Sequence, residues 1–229
     1  FGPPGTAKTT ICKGVADFLG WDFVVIDTAT FLASGLSDVS GRIRYVFDRL
    51  KKIEKCVILF DEIEEFCLDR ENQALGMESR MLTTALLTQI NDLRKAEKSV
   101  FFLATNRLKA LDSAITRPGR FDMQLFVGTP NLSARVERFR EKLEVVGATG
   151  IDEAVDAFEK ALSQEWENYG QFFNFIEGEI LADACAGMAV SDGIVKPKDV
   201  AALIKRQVVT IRGTDAKNEY VEGSALSRW

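Results

Sequence analysis

Hydrophobic positions in the first 130 residues alternate between helical spacing and short continuous runs. Residues 8–19 place Ile11, Val15, Phe18 and Leu19 at helical spacing, residues 40–52 do so with Ile43, Val46, Phe47 and Leu50, and residues 78–93 with Leu82, Leu86, Ile90 and Leu93. Between these segments lie four apolar, β-branched or aromatic runs that predict strands: Phe23–Ile26, Cys56–Phe60, Ser99–Ala104 and Gln124–Val127. Continuous apolar strands separated by helices predict a parallel sheet covered on both faces.

After Thr129-Pro130-Asn131 the pattern becomes helical alone, with candidates at 132–146, 152–168, 172–189 and 198–211. One face of the second carries Ile151, Val155, Phe158, Leu162 and Trp166, and Phe173, Ile176 and Ile180 stand at core spacing in the third. Pro197 suits the first turn of the last helix. A boundary near residue 130 therefore divides an α/β core, 1–130, from a helical lid and tail, 131–229.

The chain has 229 residues, 46% hydrophobic and 28% charged, as expected of a globular protein. Its net charge of -5 and pI near 5.1 argue against a nucleic-acid surface. It has no histidine, which excludes an HExxH metalloprotease, a Ser-His-Asp triad or a Cys-His dyad within these residues. Cys12, Cys56, Cys67 and Cys185 are scattered, form no CxxC pair, and read as reduced, mostly buried thiols in a reducing intracellular compartment. No run is long and apolar enough to span a bilayer. The sequence opens on a turn motif without an initiator Met; a phosphate loop needs a strand running into it, so a fragment of a longer protein is expected.

Three motifs carry chemistry. Gly2-Pro3-Pro4-Gly5-Thr6-Ala7-Lys8-Thr9 has the spacing of a P-loop, GxxxxGK[ST], with Ala7 in place of the second motif glycine. Small residues let consecutive N–H groups converge on phosphate, and the following helix, with Thr10 in its first turn, points its N-terminus at the same anion. Lys8 would reach the β- and γ-phosphates of ATP, and the Thr9 hydroxyl would coordinate Mg2+. The methyl of Ala7 crowds this backbone and restricts φ.

The second motif is the strand Cys56–Phe60 running into Asp61 and Glu62, a Walker B arrangement. Asp61 would hold Mg2+ through its water shell, and Glu62 would be the general base for the attacking water. The third is Leu103-Ala104-Thr105-Asn106, whose amide either positions the lytic water or caps a turn. Beyond it, Arg117 and Arg120 flank a Pro-Gly turn; they are either solvated loop arginines or donors to a γ-phosphate across a subunit boundary.

The set GPPGTAKT, VILFDEIE, LATN and LDSAITRPGRFD resembles the AAA family of ring ATPases. The resemblance implies an αβα sandwich with strand order 5-1-4-3-2, its first, central strand missing here, and a C-terminal helical lid. It implies Asn106 as sensor 1, Arg117 and Arg120 as arginine fingers, ATP and Mg2+ as cofactors, and a homo- or hetero-oligomeric ring, a hexamer, acting on a protein substrate. Arg70 and Leu86-Leu87-Thr88-Gln89 also match the family pattern. Two positions depart from it: Gly35 stands where polypeptide-threading members carry a pore aromatic, with Leu36 beside it, and Glu177 replaces a glycine of the sensor 2 segment. An active remodelling ATPase, a nucleotide-gated scaffold with little turnover, and a non-ring P-loop protein are the readings to separate.

Overall fold

The computed structural model describes residues 1–27, 30–31, 38–62, 66, 77–108, 111, 115, 120–164, 166, 170–187, 195–211, 218 and 220. Gly35, Leu36, Arg70 and Arg117 lie outside the described residues. In one compact unit, Phe1–Gly2 with Ala7–Phe126, the elements are helix α1 (Lys8–Leu19), strand β1 (Asp22–Ile26), helix α2 (Val39–Leu50), strand β2 (Cys56–Asp61), helix α3 (Met77–Ala96) and strand β3 (Val100–Ala104).

The three strands form a parallel sheet in the order β1-β2-β3, with Ile26 opposite Phe60 and Asp61 opposite Ala104 in register. This is the 4-3-2 stretch of the order implied by the family resemblance. The central strand β2 is buried on both faces because its side chains alternate. Ile58 and Phe60 join Ile43 and Phe47 of α2 and Leu86 and Ile90 of α3 in the main core. Leu59 points the other way, to a smaller cluster with Cys12 of α1 and Ala104. Stacking of Phe47 on Phe60 (5.2 Å, 8° between planes) ties α2 to the sheet. Helix α1 stops at Gly20, whose left-handed φ of 65° lets its N–H reach the helix's last carbonyls.

Gln124–Val127 is no strand in the structure, contrary to expectation. An apolar run becomes a strand only where a neighbour completes the ladder. Here no strand pairs with it among the described residues, and Leu125 and Phe126 remain exposed.

The second compact unit contains Pro3–Thr6 and Val127–Glu222. Its helices are α4 (Leu132–Val145), α5 (Ile151–Gln164), α6 (Phe175–Gly187) and α7 (Pro197–Ile211), with a 3-10 turn at Gly170–Phe172. Asn131 caps α4 by accepting the Ala134 N–H at 2.8 Å. Phe139 stacks on Phe158 at 4.3 Å in the middle of a core that also holds Leu162, Phe173, Leu181, Cys185 and Ile204.

The buried face of α6 differs from the expected one. Glu177, Leu181, Ala182, Cys185 and Ala186 face inward, while Ile176 and Ile180 are 58% and 53% exposed. Apolar residues run nearly all round this helix, so spacing cannot select a face; its N-terminal cap, described below, sets the phase.

Candidate nucleotide-binding site

In the first unit, three chain segments meet at the carboxyl ends of the strands. Lys8 and Thr9 open α1, and Asp61 ends β2. The Thr9 hydroxyl donates to Asp61 Oδ2 at 3.1 Å. Lys8 Nζ donates to the Gly2 carbonyl at 3.0 Å, and the Gly2 N–H donates to the Thr105 carbonyl at 3.3 Å. That last bond ties the start of the loop to the residue just past β3, next to Asn106. Asn106 Oδ1 is buried and has no hydrogen-bond partner. Buried amide oxygens are almost always satisfied, which sets this one apart.

Ala7 adopts the left-handed conformation its motif's glycine would favour, with φ 64° and ψ 28°. For a residue with a Cβ this costs on the order of 1–2 kcal/mol. Glu62 is likewise left-handed, φ 53°, and exposed just past the strand. Lys55 and Glu97, away from these motifs, share the same left-handed φ of 53°. Thr10 is exposed on the first turn of α1. Cys12, one turn further on, is buried; desolvation first, and the nearby Asp61 second, push its thiol up to about 11. Cys56 and Cys185 are buried free thiols as well.

Arg120 is half-buried, and its Nη1 is fully buried without a partner. Its flanking residues are anchored: Arg94 Nη2 donates to Asp122 Oδ1 at 2.6 Å, and Phe121 packs edge-on against Phe101 at 5.6 Å. The Arg94 hydrogen bond holds the Asp122 carboxyl below its usual range, against a smaller desolvation effect. Sequence reasoning missed this anchor, because 28 residues separate its partners.

The remaining loop residues, Pro3–Thr6, pack within the second unit. Thr6 Oγ1 donates to the Pro3 carbonyl at 2.9 Å, and Gly5 is left-handed with φ 70°. The Gly5 carbonyl accepts the Phe175 N–H at 2.7 Å. At this end of α6, Asn174 Oδ1 accepts the Glu177 N–H and Glu177 Oε2 accepts the Asn174 N–H, both at 2.9 Å. Glu177, which stands in place of the sensor 2 glycine, is thus one half of a capping box; the N-x-x-E spacing is the signal that could have found it.

Behind the cap sits Arg135, only 6% exposed. It donates to the carbonyls of Pro130 (3.0 Å) and Phe173 (2.5 Å) and lies over the Trp166 ring at 5.5 Å. Burial pulls its guanidinium down to about 10, with the Glu177 charge opposing.

A glycine-proline loop opening a helix, a carboxylate at the end of the middle strand and an amide past the next one define a P-loop nucleotide-binding fold. Residues 1–129 match the model of the family described as "ATPase family associated with various cellular activities (AAA)". With more than half of its length so matched, the chain belongs to the AAA family, a family of ATP-hydrolysing enzymes. It is 39% identical over 137 residues to ATP-dependent zinc metalloprotease FtsH 1 of Alkaliphilus metalliredigens, covering 59% of this chain and 23% of that protein. It is 37% identical over 135 residues to mouse Nuclear valosin-containing protein-like, covering 59% of this chain and 16% of that protein. A Cell division cycle protein 48 homolog of Archaeoglobus fulgidus is 29% identical over 199 residues, 86% of this chain and 26% of that one. The chain thus spans about a quarter or less of these relatives' length. A chain in the structure of the E. coli MS115-1 HORMA:CdnC:Trip13 complex shares the fold, with a TM-score of 0.71 and 21% identity over 90% of this chain and 72% of that chain. Among the described residues no helix is long and apolar enough to cross a membrane.

Proposed function

We propose that this chain is the Mg·ATP-binding and hydrolysing module of an oligomeric ring, a hexamer, that remodels or disassembles a protein substrate. On this reading residues 1–130 form the nucleotide-binding core and 131–229 the lid. The observation that carries it is the hydrogen bond between Thr9 and Asp61, which puts a hydroxyl and a carboxylate from two distant segments 3.1 Å apart. Hard oxygen donors in that pairing suit Mg2+. The loop Gly2–Thr10 supplies backbone N–H groups for the phosphates, Lys8 the cation that meets them, and Asn106 an amide oxygen with nothing else to bind. These residues fit the nucleotide and the metal.

In this assignment Thr9 and Asp61 hold the metal, Glu62 takes the proton of the attacking water, and Asn106 orients that water. Arg117 and Arg120 stabilise charge that develops on the γ-phosphate of a neighbouring copy. The metal, when bound, would supply positive charge to offset the charge on the phosphates. The FtsH and Cdc48-type relatives support an action on proteins, and the net charge of -5 speaks against nucleic acid.

The test is Mg-dependent ATP turnover by the full-length assembled protein. Lys8→Ala should abolish it, lowering kcat/KM by about 100-fold or more. Glu62→Gln should keep ATP bound and hold the assembly together. Full turnover by a monomer that ignores Arg117→Ala and Arg120→Ala would sink the ring reading. One observation favours a second reading, a scaffold that binds ATP with little turnover: the left-handed Ala7. Brisk steady-state hydrolysis would dismiss it.

A further inference from the structure

The N-terminus of α6 has a task beyond starting a helix. A helix leaves its first N–H groups without internal partners. Here the reciprocal bonds of Asn174 and Glu177 satisfy two donors in this segment. The Phe175 N–H, held in direction by that box, goes to the Gly5 carbonyl at 2.7 Å. Contact at this point is close: a Cβ built on Gly5 would lie 2.8 Å from Asn174 Cγ and Nδ2. The box is itself braced, since Arg135 grips the Phe173 carbonyl immediately before it and Glu177 is 7% exposed.

A trans peptide is planar, with its C=O and N–H pointing in opposite directions. Gly5 carbonyl and Thr6 N–H share one such plane. Fixing the carbonyl on Phe175 therefore fixes the Thr6 N–H to point away from α6. In a P-loop the direction of consecutive N–H groups decides how well they converge on phosphate. Glycine, left-handed at φ 70°, is the residue least able to hold its own peptide plane, so an external clamp has the greatest effect there.

We propose that Asn174 is a positioning residue for ATP turnover: its capping box aims the Phe175 N–H at Gly5 and so sets the peptide plane that presents the Thr6 N–H. The proposal rests on the reading of Gly2–Thr10 as the phosphate loop. It concerns ATP binding, so its signature is a change in KM with kcat preserved.

The experiment measures steady-state Mg·ATP hydrolysis by the full-length protein. Asn174→Ala should raise KM about fivefold, on the scale of one lost cap, with kcat within about twofold. Asn174→Gly removes the side chain at little cost to the helix and should raise KM by a similar factor, so the test survives if the alanine variant folds poorly. Asn174→Ser keeps a capping oxygen and should return KM to within about twofold of the parent. Unchanged KM in the glycine and alanine variants, or a serine variant no better than glycine, overturns the proposal. Lys8→Ala is the control for the underlying reading: turnover that survives it removes the phosphate loop and this proposal together, whereas turnover lost with Lys8 and unmoved KM at Asn174 removes this proposal alone.

Discussion

The carboxylates at the strand ends of the sheet unit and the Arg135–Glu177 region of the helical unit lie in opposite surroundings. At the strand ends of the sheet unit, Thr9, Asp61 and Glu62 are exposed or half-exposed, and the one interior amide oxygen, on Asn106, is unpartnered. In the helical unit Arg135 and Glu177 are almost wholly buried and engaged with carbonyls, an aromatic face and a helix terminus. Polar groups kept at the surface are available for chemistry. Those taken inside are held by the fold, and removing either one leaves its partners stranded in low dielectric. On the proposed reading, a glutamate serves reaction in one unit, at Glu62, and architecture in the other, at Glu177.

The sharpest way to break this comparison is Arg135→Met. It strands the Pro130 and Phe173 carbonyls, so the helical unit should lose about 3 kcal/mol in denaturant unfolding. A loss no larger than that of a surface substitution would show that Arg135 is not architectural. Gly178→Ala comes next. Its methyl would lie 2.8 Å from Arg135 Nη1, and displacing that held guanidinium should cost about 2 kcal/mol. In the Arg135→Met background the Gly178→Ala penalty should shrink, which a double-mutant cycle reads directly.

Ala7→Gly works in the other direction and on the other unit. Relief of the left-handed backbone should stabilise the sheet unit by up to about 1 kcal/mol and lower the KM for ATP. No gain would mean that the surrounding loop removes the strain by other means.

The smallest effect is expected at the exposed Arg94–Asp122 pair. Because Asp122 titrates below its ordinary 3.8 in the folded chain, its contribution is complete above that value and fades as pH falls through the lowered one. Asp122→Asn should therefore leave stability at neutral pH nearly unchanged and flatten the acid limb of the unfolding curve. If Arg120 acts as proposed, the cost should appear instead in turnover by the assembled protein.

How much of this could be read in the chain differs by region for physical reasons. Strands β1, β2 and β3 were legible because buried parallel strands leave unbroken apolar runs, and the place of Asp61 at the end of β2 because that run stops at a carboxylate. Gln124–Val127 misled because its composition describes a strand whereas only a neighbour makes one. Helix α6 misled because Ile176 and Ile180 look like core residues among Leu181, Ala182 and Cys185, and only the reciprocal bonds of Asn174 and Glu177 rotate it. The Arg94–Asp122 anchor and the Arg135 grip join residues 28 and 38 apart, a distance over which local pattern is silent.

The bond between Thr9 and Asp61 has one more consequence. On the proposed reading, Thr9 and Asp61 would offer a divalent ion and its water shell two oxygens already gathered by folding. The freedom lost in collecting those ligands was surrendered once, when the chain folded, and is not lost again with each catalytic cycle. Such a slot can fill and empty repeatedly without rearranging the sheet beneath it.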